Sequence, residues 1–330
     1  QRLVQAVDVY RDLHQATDQA VAQQIAEDRI DVLIVTDGWN QGHRMAAISD
    51  RPAPIQIGYL GNPCSSGAEF LDYAIVDDQI APKDATGNFS ERLIRLSGTY
   101  QATDNRQPFP SYPADNEARQ GLREQHGLPR EGTVFASFNQ GYKFTQQTIL
   151  LWFDILKAVP DSVLWLLEPH PQAMVNLRKA AEAAGLEPGQ LVFAPKVGKA
   201  EHINRLALAD VALDPLTCNG HTTTTDALWA GVPVVALYGR HFASRVAASL
   251  LQAVGCHELV AQDIPGYLKR AVRLAIDTEY REALHQQLVT NRMTCRLFDT
   301  ATHTQLLEQA YRQVYDRALA GKPPDNITIC

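Results

Sequence analysis

Short, continuously apolar runs recur along this chain and restrict its fold more than any other feature. They fall at residues 31–36, 55–60, 73–76 and 93–96, and again at 133–138, 162–167, 191–194, 211–213 and 234–237. Each has the length of a strand, and none alternates apolar with polar residues as a one-faced sheet would. Continuous apolarity is expected of strands covered on both faces, which means a parallel sheet with helices packed over it. The intervening segments 145–159, 172–184 and 200–208 have helical spacing and length, so the second series predicts a doubly wound α/β sheet. Residues 1 to about 30, with Leu3, Val7, Val21 and Ile25 among polar neighbours, are expected to be helical. So are 243–253, 264–277, 279–291 and 300–320.

Between the two series, residues 97–114 lose periodicity and carry Pro108, Pro110 and Pro113. That composition reads as a linker. It divides the 330 residues into expected domains 1–107 and 108–330, each long enough for its own core. Two sheets joined this way are expected to enclose a cleft, with ligands beyond the carboxyl ends of the strands. Thirty basic against thirty-seven acidic residues, without a long single-sign run, argue against a nucleic-acid or anionic-membrane partner. Five scattered cysteines lack metal-type spacing, and their odd number favours reduced thiols and a cytoplasmic location. The chain opens on Gln1 without a signal-peptide pattern.

The densest chemistry lies in Cys218-Asn219-Gly220-His221-Thr222-Thr223-Thr224-Thr225-Asp226. It joins a strand to a short helix that Gly231, followed by Val232-Pro233, should stop. Four hydroxyls, a histidine and free amides gather at the positive end of a helix dipole, which suits a phosphate or diphosphate. One threonine would suffice for capping alone. Asp226, four residues after Thr222, is placed to accept ribose hydroxyl protons. Cys218 has no histidine–carboxylate arrangement tied to it and reads as a small buried residue.

Three further loops follow strand ends. In one, Gln140 and Lys143 offer an amide donor and a point charge for phosphate oxygens, against the alternative of an ordinary solvated loop. In another, Lys199, His202 and Arg205 recur at intervals of three and share a face at a helix start. That face suits base recognition or is simply an exposed basic turn. Leu60 and Gly61 open a glycine-punctuated loop, either a donor of backbone amides or a tight turn. Asp77-Asp78 does not have the spacing of a metal pair, and His170, between two prolines, reads as a surface loop residue.

Phe138-Asn139-Gln140-Gly141-Tyr142-Lys143, Lys199-Ala200-Glu201-His202 and Cys218-Asn219-Gly220-His221-Thr222-Thr223 together resemble the O-GlcNAc transferase/SPINDLY glycosyltransferases. So do Leu228-Trp229-Ala230-Gly231-Val232-Pro233, Ala243-Ser244-Arg245-Val246-Ala247-Ala248-Ser249, Arg51-Pro52-Ala53-Pro54-Ile55-Gln56, Tyr59-Leu60-Gly61-Asn62-Pro63 and Asp72-Tyr73. These matches keep family order from about residue 30 to 315. The resemblance implies a GT-B fold of two Rossmann-like domains and inverting transfer of N-acetylglucosamine from UDP-GlcNAc to protein Ser/Thr hydroxyls, with no metal or other cofactor. It implies Gln140 and Lys143 at the diphosphate, Lys199 and His202 at the uracil and Arg205 supporting that loop. His221, Thr222 and Thr223 fall at the phosphates, Asp226 at the ribose, and Leu60 and Gly61 beside the donor sugar.

Two alternatives stay open: a GDP-fucose-dependent transferase of the SPINDLY type, and a nucleotide-sugar-binding fragment without activity. The family carries upstream tetratricopeptide repeats that present protein acceptors, and an upstream catalytic segment. Departures from the family pattern occur at Val9 before Tyr10, at Trp39-Asn40-Gln41 and at Glu168. No residue here is assigned as general base.

Overall fold

The computed structural model describes residues 2–101, 103–104 and 106–330. Its strands are β1 (Val32–Val35), β2 (Ile55–Gly58), β3 (Tyr73–Val76), β4 (Arg92–Leu96), β5 (Val134–Ser137), β6 (Val163–Leu167), β7 (Leu191–Ala194), β8 (Val211–Leu213), β9 (Val234–Leu237), β10 (Val260–Ala261) and β11 (Ile327–Ile329). They form one sheet of order β1-β2-β3-β4-β11 and another of order β10-β9-β8-β5-β6-β7. The pairs β1–β2 and β2–β3 are parallel, and so is every pair of the second sheet. The expected α/β class with continuously apolar parallel strands is therefore what forms. β5 and β3 are buried along their whole lengths, as strands covered on both faces must be.

The chain does not divide at one point. One compact unit takes residues up to Ile75, Asp84–Arg95 and Leu307–Ile329; the other takes Val76–Lys83 and Leu96–Leu306, with Cys330. The expected cut at 107 followed the proline-rich composition, whereas hydrogen bonding places residues on both sides of it in the second unit. Asp77, dismissed as a metal ligand, is 1% exposed and accepts from the Gln79, Ile80 and Tyr100 amides and from Ser249 Oγ at 2.5 Å. That carboxylate fixes residues just after β3 and β4 to the Val246–Ala253 helix. In the first unit, Asn326 Oδ1 accepts from Leu93 N at 2.7 Å, aligning the edge strand β11 on β4. A three-residue strand in a polar tail gives no periodicity, so it was not expected.

Two helical expectations change. Among the described residues of 2–30, helices form only at Arg2–Gln5 and Asp18–Glu27, because Thr17 caps the second helix by accepting from Ala20 N and so starts it late. The run 243–253 is a 3₁₀ turn, Phe242–Ser244, followed by the Val246–Ala253 helix. A helix at Asn116–Gln125 was not expected. Its buried residue is Arg123 rather than an apolar side chain, so hydrophobic spacing could not reveal it. Arg123 Nη2 and Arg119 Nη2 both donate to the Asp210 carboxylate, at 2.7 and 2.8 Å, and Val134 N donates to it at 2.7 Å. This triad ties the helix to the starts of β5 and β8. No helix among the described residues is long and apolar enough to cross a membrane.

Arg123→Met is expected to lower unfolding free energy by about 3 kcal/mol, because a buried carboxylate loses its deepest cation. Urea unfolding of the variant checks this; a loss under about 1 kcal/mol would mean that Arg119 alone satisfies Asp210.

Candidate functional site

In chain order the second sheet runs β5, β6, β7 to one side and β8, β9, β10 to the other. The neighbours β5 and β8 mark the point where strand order reverses, and the crevice beyond their carboxyl ends is where ligands of such sheets bind. Phe138-Asn139-Gln140-Gly141-Tyr142-Lys143 leaves β5 there, and the loop to the threonine helix leaves β8 there.

The threonine helix spans Thr222–Trp229 and ends as expected. Gly231, at φ +77°, donates to Leu228 O while Val232 N donates to Ala227 O, a Schellman ending that only a left-handed residue completes cheaply. At the other end the four hydroxyls do different things. Thr223 Oγ1 donates to Asn139 Oδ1 at 2.8 Å, Thr224 Oγ1 to Asp214 Oδ1 at 2.8 Å, and Thr225 Oγ1 to Thr222 O at 2.9 Å. Thr222 stands exposed at the first helical position. His221 occupies the cap position without a side-chain cap bond, so simple capping does not account for these residues. Gly220 is required sterically: a Cβ there would lie 2.3 Å from Thr224 Oγ1 and 2.5 Å from Thr223 Oγ1.

Two asparagines hold the floor. Asn219, fully buried, donates from Nδ2 to Pro215 O at 2.9 Å and accepts at Oδ1 from Ala247 N at 3.2 Å. Lys143 Nζ donates to Asn219 O at 2.7 Å and lies 3.5 Å from Asn139 Oδ1. Lys143, Asn139, Thr223 and His221 are thereby gathered around one helix start, while Gln140 is exposed at the head of its 3₁₀ turn. Cys218, expected to be buried, is half-buried and unpaired. His170 is exposed, as expected, but it caps the Pro171–Ala183 helix by accepting from Gln172 N.

The Lys199–Leu206 helix supplies the adjoining cluster. Lys199 Nζ is ion-paired with the Asp226 carboxylate, and His202 Nε2 lies 3.8 Å from Asp226 Oδ2. Arg205 is 4% exposed; it donates to His202 Nδ1 at 3.2 Å and to Pro195 O at 2.6 Å, with its guanidinium 4.5 Å over the Phe138 ring. His202 meets the same ring edge-on at 5.0 Å. This is a built cluster rather than an exposed basic turn. Burial raises the Asp226 carboxyl even against the bond from Lys199.

Leu60 and Gly61 belong to the first unit. Leu60 is exposed at φ +62°, and a Cβ on Gly61 would lie 2.6 Å from Gly38 N. The loop that follows is fixed by Glu91, which accepts from Ser66 N at 2.7 Å, Ser66 Oγ at 2.5 Å and Ser65 Oγ at 2.7 Å. Glu91 and Asp214 have no signal in the sequence, and Asn139 and Asn219 stand in its motifs without a role, because all four serve other residues' hydrogen bonds and a lone acid or amide has no local signal.

The model of glycosyl transferase family 41 matches residues 1–117 and 112–307. The chain is 36% identical over its full length to the probable UDP-N-acetylglucosamine–peptide N-acetylglucosaminyltransferase SEC of Arabidopsis thaliana, of which it covers 34%. It is 30% identical over 93% of its length to UDP-N-acetylglucosamine–peptide N-acetylglucosaminyltransferase of Caenorhabditis elegans, covering 36% of that protein. It thus spans about a third of the length of the curated relatives it matches. An O-GlcNAc transferase mutant from Thermobaculum terrenum superposes over 95% of this chain and 58% of its own, with TM-score 0.84 and 29% identity. HepE of Anabaena, solved with UDP and glucose, shares the fold at TM-score 0.64 and 15% identity, over 93% of this chain and 84% of its own. The fold is of the GT-B class these structures share, and the chain belongs to glycosyl transferase family 41.

Proposed function

We propose that this chain is catalytic machinery of a protein glycosyltransferase that takes UDP-N-acetylglucosamine as donor and serine or threonine hydroxyls as acceptors. The observation that carries this reading is the convergence of Lys143, His221, Thr222 and Thr223 on one helix start at the β5–β8 switch point. The names of its full-length relatives as peptide N-acetylglucosaminyltransferases support the donor and the acceptor class. In this reading the acceptor hydroxyl attacks the anomeric carbon opposite the departing UDP and inverts it. Charge then builds on the diphosphate. The first helical amides, which have no carbonyl one turn earlier, and the Lys143 ammonium are aimed where that charge develops, without calling on a resident metal. Gln140 adds an amide donor. Lys199 and His202 face the base, Arg205 holds their loop, and Asp226 accepts from the ribose. Upstream helical repeats would present the protein acceptor.

The two imidazoles suit an uncharged role. Burial, reinforced by Lys143, pushes His221 down to about 4; burial, reinforced by Arg205 and Lys199, pushes His202 down to about 4. Both rings are neutral near pH 7, donating from one nitrogen and accepting at the other. For His202, acceptance from Arg205 at Nδ1 leaves the proton on Nε2.

Calorimetric titration with UDP, UDP-GlcNAc, GDP and GDP-fucose tests the donor. UDP and UDP-GlcNAc are expected to bind and the guanine nucleotides to be silent; guanine-selective binding would move the chain to the fucosyl alternative. Lys143→Ala is expected to slow transfer, assayed in a protein carrying the whole catalytic region, by on the order of 10²-fold or more. Near-normal turnover would remove Lys143 from the leaving-group site.

A depressed imidazole pKa stabilises the fold above the ordinary value of 6.5, and that stabilisation is lost as pH falls toward 4. The melting temperature of the ligand-free protein, relative to His202→Gln/His221→Gln, is therefore expected to drop by about 5 °C across that window. A difference that does not change with pH would mean that neither ring resists protonation.

A further inference from the structure

Asp214, which follows β8, lies beneath the threonine turn and is 1% exposed. Its Oδ1 accepts from Gly220 N at 2.8 Å and from Thr224 Oγ1 at 2.8 Å. Its Oδ2 is buried with no hydrogen-bond partner among the described residues. An ionised carboxylate bonded through one oxygen alone leaves much of its charge unsolvated in a low-dielectric interior. A cavity of about 20 Å³ lined by Ser137, Asn139, Asp214, Thr223 and Thr224, among others, has room for one water, an acceptor for a carboxyl proton.

The ionisable groups around Asp214 come from three elements. Lys143 is on the 3₁₀ turn after β5, and His221 is at the start of the threonine helix. On the Ile264–Ile276 helix, Tyr267 donates its hydroxyl to the Asp214 backbone oxygen at 2.9 Å. Asp226, farther along the threonine helix, is paired with Lys199. Lys143 is the cation that favours an ionised Asp214; burial opposes it and pushes the carboxyl up to about 7.

Resting on the donor reading above, we propose that a sugar-nucleotide diphosphate settles on this helix start with Asp214 in its neutral form, so that donor binding takes up one proton at Asp214 Oδ2. The diphosphate adds two negative charges and engages Lys143, the cation among the described residues that favours the ionised carboxyl. Both changes act in the same direction. The proton comes from solvent, no ligand bond changes, and the neutral acid keeps its hold on Gly220 and Thr224 without opposing the ligand's charge. Asp214 is thus a positioning residue that makes donor affinity depend on pH.

The test is titration of the chain with UDP-GlcNAc at about pH 8 in two buffers of different ionisation enthalpy, with infrared difference spectra of the same binding step. A sugar nucleotide has no terminal phosphate to titrate near neutrality, so any proton taken up belongs to the protein. Uptake approaching one proton per ligand is expected, with affinity falling up to tenfold per pH unit above the midpoint and a protonated-carboxyl band growing on binding. Asp214→Asn, which keeps the acceptor oxygen for Gly220 and Thr224, is expected to bind without uptake and without the band. Should that variant not fold, Thr224→Val, which removes the hydroxyl that donates to Asp214 Oδ1, must shift the band if Asp214 is its source. Binding without uptake overturns the proposal, as does uptake without the band, which would assign the proton to His221. A band that survives Asp214→Asn, or that Thr224→Val leaves unmoved, also overturns it. The absence of any donor binding by the folded chain would remove the donor reading itself, and this inference with it.

Discussion

The pairing of β8 beside β5, rather than beyond β7, decides where the chemistry of the second unit can gather. Chain connections leave these two neighbours toward opposite ends of the sheet, so the loops at their carboxyl ends diverge and leave a crevice. Everything polar in that crevice is referred to the two strands. Asn139 follows β5 and receives Thr223; Asp214 follows β8 and receives Gly220 and Thr224. The other end of the same strands is held by Asp210, whose carboxylate accepts from Val134 and from both arginines of the Asn116–Gln125 helix. One carboxylate at each end of β8 therefore sets the helix contacts there, and register along three residues of strand transmits the placement.

The pattern of side chains around the helix start makes physical sense once backbone accounting is done. A helix of eight residues presents amides that nothing one turn earlier can satisfy. The sequence spends its neighbouring hydroxyls on fixing the turn rather than on capping those amides: Thr223 and Thr224 reach down to Asn139 and Asp214. Thr225 bonds back to Thr222 O. The upper surface of the turn, with Thr222 exposed, is left to whatever anion arrives. Preorganisation of this kind is what allows fixed dipoles to stabilise developing charge without reorganising at the moment of reaction.

Much of this is legible in the amino-acid sequence. Continuous apolar runs gave nearly every strand of both sheets, because burial on two faces leaves no room for polar alternation. The threonine turn announced itself because its residues are contiguous, and Lys143 and Lys199 because they follow strands. What the sequence concealed was of two kinds. Arg123 and Glu91 are buried or partly buried charges whose partners lie far along the chain, and periodicity arguments count charges as solvent-facing. Asp214 and Asn219 act on backbone groups across a turn, through hydrogen bonds that leave no spacing rule. The same holds for the compact units: the edge strand Ile327–Ile329 and the Asp77 carboxylate assign segments by long-range bonds, where proline content suggested a single cut.

The distribution of acids is the final constraint. A site for a diphosphate, as proposed for this helix start, would be expected to avoid carboxylates, yet Asp226 and Asp214 are both buried beneath the turn. Their situations differ. Asp226 has Lys199 on it and His202 close by, so its charge is answered by a cation from the neighbouring helix. Among the described residues, Asp214 accepts from an amide and a hydroxyl on one oxygen, donors that a protonated acid accepts from nearly as well as an ionised one, and Lys143 acts on it without a direct ion pair. Replacing it with an apolar residue would release Gly220 and Thr224 and leave two buried donors unsatisfied, at a cost of about 1–3 kcal/mol each. An acid that is easily neutralised holds the turn at a smaller electrostatic penalty to the ligand than a permanent anion would impose. The geometry of the turn thus demands an acceptor at this position, and the ligand's charge determines the protonation state in which that acceptor works best.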